Sequence, residues 1–282
     1  MESVKFKGNP LKLIGRNIKQ GDFAPNFKVI SSDMEETGLE KYQGKIKVIT
    51  SFPSLDTPVC DLQVREFNKR ASFLSDDVVV IGISMDLPFA QKRFCEASNI
   101  KNIFLYSDCK YFNFSLNYGL FIKELHLIAR SALIIDKNNL IRYLQIAEEI
   151  TNQIDYEDVL KNIETVLKNP TAGVKYEGSL KCEPCETGVP PLDKEKIEKL
   201  LSLCPDWKLI EDSKIIREFR FKDFVESKYF VDIVAAISEE QGHHPTIMIN
   251  YNRVKISLMT HASKGLTTND FIMARIIDTI KI

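Results

Sequence analysis

A stretch without periodicity, residues 168–192 (KNPTAGVKYEGSLKCEPCETGVPPL), separates two halves whose hydrophobic patterns demand different folds. Proline, glycine and small polar residues cluster in it. Residues 171–190 are therefore read as a linker and lead-in between one domain over 1–170 and another over 191–282. Before the break, IKVITSF (46–52) reads as a buried strand. A helix follows over 61–74 with Val64, Phe67, Ala71 and Leu74 on one face, and DVVVIGISM (77–85) is a second strand. Strand, helix, strand at this spacing predicts a right-handed βαβ unit. A helix near 88–98, a strand at 102–107, a hairpin turning at DKNN within 131–146 and a helix over 155–168 complete an α/β domain, with helices expected on both faces of a mixed sheet. After the break the order is α-β-β-α-β-β-α, which predicts an α+β domain with an antiparallel sheet and helices on one face. The 282 residues are enough for two domains, and the 44% hydrophobic content for two cores.

A net charge of −1 with 27% charged residues gives no electrostatic reason to expect nucleic acid or an anionic membrane as partner. No apolar run reaches the roughly 18 residues of a bilayer span, and the first residues lack a basic-then-apolar signal pattern. The expectation is a soluble, cytoplasmic protein. In a reducing compartment the six cysteines (60, 95, 109, 182, 185 and 204) are expected to be redox-active, metal-binding or simply buried.

Cys60 lies in PSLDTPVC, between the first strand and its helix. Unpaired N–H groups and the helix dipole there favour a thiolate, which is the nucleophilic form. Thr57, three residues earlier, is within reach of the sulfur, and Pro53 shields the turn from bulk water. Pro53, Thr57 and Cys60 form P-x3-T-x2-C. With SLDTPVCDLQVREFNKRA, VVVIGISMDLPFAQKRFC and ARSALIIDKNN, nearly all of residues 1–168 resembles the thiol peroxidase branch of the peroxiredoxins. The resemblance implies a thioredoxin-like fold and reduction of peroxides. It places the peroxidatic cysteine at Cys60, the resolving cysteine at Cys95 and an arginine of the site at Arg130. Thr57 and Arg130 are then expected to bind the peroxide oxygens. A Cys60–Cys95 disulfide is implied, with a thioredoxin-like dithiol to reduce it. Cys60 and Cys95 both fall on helices, so disulfide geometry demands unwinding around 57–64 and 90–98. Cys109 has no partner by pattern and is read as structural.

The chain holds four histidines, and three stand in GHHPTIMINYNRVKISLMTH: His243, His244 and His261. Neighbouring strand residues point to opposite faces and no cysteine or carboxylate stands at a zinc spacing, so no metal site is expected. TIMINY and VKISLMT alternate as two strands. A two-residue loop at Asn252 and Arg253 pairs Tyr251 with Val254, and this register sets His244 opposite His261. Paired imidazoles near neutral pH suit acid–base work such as a dehydration. The block E-x3-H-H-P, then an aromatic, H and D (Glu239, His243, His244, Pro245, Tyr251, His261 and Asp270) resembles pterin-4a-carbinolamine dehydratase over about 180–282. The resemblance implies loss of water from 4a-hydroxytetrahydropterin, with the three histidines in catalysis. It leaves Asp270 to orient a histidine or favour its helix start, and Glu239 to bind the ring or face solvent. Pterin is then a substrate, and no bound cofactor is expected. Cys182 and Cys185 form a C-x-x-C read as structural, with a redox shuttle as the minority reading. Both families imply a homo-oligomer. The alternative to a bifunctional enzyme is a peroxidase whose C-terminal half serves assembly or an adaptor role.

Overall fold

The computed structural model describes residues 2–169, 181–183 and 190–282. It divides into two compact units, Met1–Tyr176 and Glu177–Ile282. Most of the expected linker, and Cys185 with it, lies outside the described residues.

In the first unit the chain runs through β1 (Ser3–Phe6), β2 (Asn9–Arg16), β3 (Val29–Ile30), β4 (Glu36–Thr37), β5 (Ile46–Ser51), α1 (Pro58–Ala71), β6 (Val78–Ser84) and α2 (Pro88–Ser98). It continues through β7 (Phe104–Ser107), α3 (Asn113–Asn117), β8 (Phe121–Ile122), β9 (Leu127–Ile128), β10 (Ser131–Ile135), β11 (Ile141–Ile146) and α4 (Tyr156–Lys168). The main sheet has the order β11-β10-β5-β6-β7-β3-β4. Strands β5, β6 and β7 are parallel, and β10 and β11 join antiparallel beside β5. All six residues of β5 are buried, as a strand covered on both faces requires.

Alternation within the strands feeds two cores. Val48, Val80 and Ile134 point to a core shared with Val64 and Phe67 of α1 and Val159, Ile163 and Val166 of α4; Cys60 belongs to it and Cys95 packs against it. Ile49, Ile81 and Leu133 point the other way, into a core shared with Phe114, Tyr118, Val4 and Leu13. The second face therefore departs from the expected helical cover. Its cover is the short α3 together with the β1–β2 hairpin and its neighbours. Gly15 in β2 has φ +130°, and a Cβ there would stand 2.3 Å from the Leu116 carbonyl oxygen. Only glycine lets β2 approach the end of α3 so closely.

Lys47 is fully buried in β5 and donates to Asn139 Oδ1 at 2.7 Å. Burial pushes its ammonium down to about 8, with the charge of Asp136 opposing the shift. The native state thus releases this proton near pH 8 and the unfolded chain only near 10.5. Between those values the unfolded state holds more protons, so the contribution of Lys47 to stability rises with pH. Urea titrations at pH 7 and pH 10 are expected to show the first unit of the wild type gaining relative to Lys47→Met, by up to a few kcal/mol.

The second unit comprises α5 (Lys194–Leu201), β12 (Lys208–Ile210), β13 (Lys214–Arg220), α6 (Phe224–Gln241), β14 (Thr246–Asn250), β15 (Arg253–Leu258), a 3-10 turn (His261–Ser263) and α7 (Thr268–Ile277). Its antiparallel sheet has the order β12-β13-β15-β14. Val254, Ile256 and Leu258 are buried on the face that meets α6 and α7, whereas Arg253 and Lys255 are exposed on the other.

The β14–β15 register differs from the sequence expectation. Asn250 pairs with Arg253 and Thr246 with Ser257, so the turn is Tyr251–Asn252. A slip of two residues keeps every side chain on its face, so hydrophobic alternation is blind to it. The choice falls to Phe221, the residue after β13: its N donates to the Asn252 carbonyl at 2.8 Å, and Asn252 Nδ2 donates to its carbonyl at 3.0 Å.

Candidate active sites

Thr57 is the N-cap of α1, Pro58 opens the helix and Cys60 lies in its first turn. Cys60 is fully buried. Its sulfur accepts from Thr57 Oγ1 at 2.8 Å and from Arg130 Nη2 at 3.3 Å. Thr57 Oγ1 in turn accepts from Cys60 N at 3.4 Å. Arg130, 1% exposed, is held by the Ile150 carbonyl, which accepts from Nε at 3.1 Å and Nη2 at 3.0 Å. Its Nη1 donates to Gln63 Oε1. A guanidinium, a hydroxyl and a helix N-terminus thus converge on one sulfur and favour negative charge there. Pro53 is buried in the turn before the helix.

Gln63 was not singled out in the sequence. It is fully buried, one turn beyond Cys60, and donates to Thr50 Oγ1 at 2.5 Å and the Ser51 carbonyl at 3.2 Å. The readable signal was a polar residue three positions after the cysteine, on the buried face of α1.

Cys95 is half-buried in α2, on a helix as expected, and is a free thiol, as is Cys60. Burial, with the Glu96 carboxylate beside it, pushes the Cys95 thiol above its ordinary range. Cys109 is a free, half-buried thiol. Cys204 is fully buried; burial and then Asp278 push its thiol up to about 11, which disfavours the nucleophilic thiolate.

In the second unit the three histidines separate into two roles. His243 is buried, with Nε2 2.8 Å from Asp270 Oδ1. Since a carboxylate only accepts, this nitrogen carries the proton. Asp270 Oδ2 accepts from Thr260 Oγ1 and Thr267 N, both at 2.8 Å. Asp270 thus hydrogen-bonds both the N-cap backbone of α7 and the His243 ring. His244 and His261 instead line one pocket of ≈ 260 Å³ with Lys214, Thr246, Ser257 and Met259. Despite the corrected register, these two imidazoles share a cavity. Glu239 lies outside its lining and pairs with His244 Nε2 at 3.0 Å. Lys214, absent from the sequence expectations, adds an ammonium with no acceptor among the described residues. Residues 181–183 pack on the same unit: Cys182 is buried, and Asn269 of α7 exchanges hydrogen bonds with the backbone of Glu183. Cys182 is thus packed in the second unit, and its C-x-x-C partner Cys185 is outside the described residues.

The family model described as Redoxin matches residues 19–162, and that of Pterin 4 alpha carbinolamine dehydratase matches residues 190–280. A thiol peroxidase of Staphylococcus epidermidis is 46% identical over 161 residues, covering 57% of this chain and 97% of that protein. The thiol peroxidase of Bacillus subtilis is 41% identical over 168 residues, covering 60% and 100% respectively. Among solved structures, a peroxiredoxin-like protein from Aquifex aeolicus superposes with a TM-score of 0.56 at 38% identity, covering 59% of this chain and 98% of that one. All three relatives are matched over almost their whole length by little more than half of this chain. The chain belongs to the thiol peroxidases of the redoxin family, and it is a fusion that carries a domain of the pterin-4a-carbinolamine dehydratase family behind the peroxidase domain.

Proposed function

We propose that the protein is a bifunctional enzyme, a dithiol-dependent peroxidase and a pterin-carbinolamine dehydratase. In the first reaction the Cys60 thiolate attacks a peroxide oxygen and the O–O bond breaks. The alcohol or water leaves with a proton, and Cys60 becomes a sulfenic acid. Arg130 and Thr57 stabilise charge on the departing oxygen. The Cys95 thiol then displaces water from the sulfenic acid to form a disulfide, and an external dithiol of thioredoxin type restores both thiols. The convergence of Thr57 Oγ1 and Arg130 Nη2 on the Cys60 sulfur carries this reading.

In the second reaction one imidazole protonates the leaving hydroxyl of 4a-hydroxytetrahydropterin while another accepts the proton lost from the ring nitrogen, giving quinonoid dihydropterin and water. The shared pocket of His244 and His261 carries this part, and His243, held by Asp270, which also anchors Thr260 next to His261, supports it. Lys214 meets an acceptor oxygen of the substrate. Pterin enters as substrate and electrons come from the dithiol, so neither reaction uses a bound cofactor.

A second reading has its own observation. Strand β14 is a sheet edge, and Met248 and Ile249 on it are 61% and 40% exposed, which fits assembly into a homo-oligomer. One experiment separates the readings: the dehydration rate and the molar mass in solution of wild type and His244→Ala. A rate that falls about 10²-fold or more at unchanged mass supports catalysis. No wild-type acceleration over buffer leaves the second unit as an assembly module.

A further inference from the structure

A hydrogen-bonded chain runs from the Cys60 turn to the helix that carries Cys95. Thr57 N donates to the Ser54 carbonyl at 3.1 Å, and Thr57 Oγ1, which also donates to the Cys60 sulfur, lies 3.2 Å from the same carbonyl. Ser54 Oγ donates to Asp86 Oδ1 at 2.7 Å, and Leu55 N donates to Asp86 Oδ2 at 2.8 Å. Ser84 Oγ donates to the same Oδ2 at 2.8 Å. Ser84 Oγ accepts from Gln91 Nε2 at 3.0 Å, and that amide nitrogen also donates to the Tyr106 carbonyl at 2.8 Å. Gln91 is 1% exposed and sits in α2 one turn before Cys95, on the same side of the helix.

The donors point one way along this chain, from Gln91 through Ser84 to Asp86, so each bond polarises the next. Asp86 is the junction. It accepts from two groups of the Cys60 turn and from Ser84 at the end of β6, which in turn accepts from Gln91 of α2. Gln91 Oε1, in contrast, is buried without a partner among the described residues. The closed arrangement therefore carries an unmet acceptor in α2, which unwinding of the helix would release to water.

We propose that Asp86 is a positioning residue that latches the Cys60 turn and the Cys95 helix together, so that the two segments open as one unit and the strength of the latch sets how long Cys60 sulfenic acid persists before Cys95 resolves it. The proposal rests on the disulfide reading given above. A tight latch keeps Thr57 and the sulfur in place for peroxide attack but delays S–S bond formation. During that delay a second peroxide molecule can oxidise the sulfenic acid to sulfinic acid, releasing water or alcohol. A loose latch does the opposite.

The test mixes the reduced full-length chain with one equivalent of hydrogen peroxide, follows disulfide formation by quenched mass spectrometry, and then measures the sulfinic fraction at excess peroxide. Asp86→Ala removes the junction, and Ser54→Ala removes one of its three bonds, together with the local Asp56 N bond to Ser54 Oγ, as the milder variant should the first not fold. In Asp86→Ala the step from sulfenic acid to disulfide is expected to speed up by about tenfold or more, since one of the three hydrogen bonds lost to the charged group already reaches that scale, and the sulfinic fraction to fall in proportion. Ser54→Ala is expected to shift both in the same direction by less. Unchanged resolution and unchanged sulfinic fraction in both folded variants, with only a lower melting temperature, would show Asp86 to be merely structural and overturn the proposal. If the wild type itself forms no Cys60–Cys95 disulfide, the disulfide reading falls and takes the latch with it, an outcome distinct from the first.

Discussion

Arg130→Met is expected to slow the reaction of Cys60 with peroxide by about 10²–10³-fold, as loss of one preorganised donor to a developing charge does elsewhere. The guanidinium makes four contacts at once: two to the Ile150 carbonyl, one to Gln63 and one to the Cys60 sulfur. Methionine fills similar space, removes the charge and leaves the Ile150 carbonyl and the Gln63 oxygen buried without donors. Each such orphan costs roughly 1–3 kcal/mol, so the melting temperature of the first unit falls as well. Arg130→Lys separates the two effects. A lysine keeps the charge but has no planar fork to reach three partners. Stopped-flow measurement of peroxide consumption should therefore show Arg130→Lys between wild type and Arg130→Met. A methionine variant that reacts at the wild-type rate would remove Arg130 from the chemistry.

Asp270→Ala carries the largest expected loss in the second unit. Asp270 is fully buried and accepts from His243, Thr260 Oγ1 and Thr267 N. Its removal leaves those three donors without their acceptor, and each such orphaned buried group costs roughly 1–3 kcal/mol. The functional consequence travels two ways. His243 loses the group that fixes its tautomer, and Thr260, the residue before His261, loses its anchor. Dehydration is expected to fall with stability. Asp270→Asn distinguishes the two: one amide oxygen still accepts from Thr260 and Thr267, while the amide N–H now faces His243. This variant is expected to keep most of the stability and to lose dehydration activity with a shifted pH profile. Equal loss of both in the two variants would reduce Asp270 to a helix cap.

Much of both sites was readable from the chain. Residues near in sequence act through local geometry, so Thr57 and Cys60 could be placed on one helix turn before any fold was known. The same holds for α2: Pro88 at its start and Asn99 in the left-handed conformation at its end bound the helix that was expected. Gln63 was missed because a buried glutamine on a helix looks like any polar residue until Thr50, Ser51 and Arg130 close around it. The two adjacent histidines illustrate the same limit. Nothing in HHP states that the first is buried against Asp270 while the second faces a pocket.

What the sequence alone determined is the main strands and helices from β5 onward and the break between two different hydrophobic patterns. These follow from periodicity and from motifs whose spacing is tied to one turn of helix or one strand. Only the tertiary structure decided the hairpin register, the cover of the second sheet face and the partners of Arg130, Asp86 and Asp270. Those depend on contacts between residues far apart in the chain. A two-residue slip or a different cover leaves the local pattern unchanged, so the choice falls to long-range hydrogen bonds and to close approaches such as that of Gly15 to Leu116.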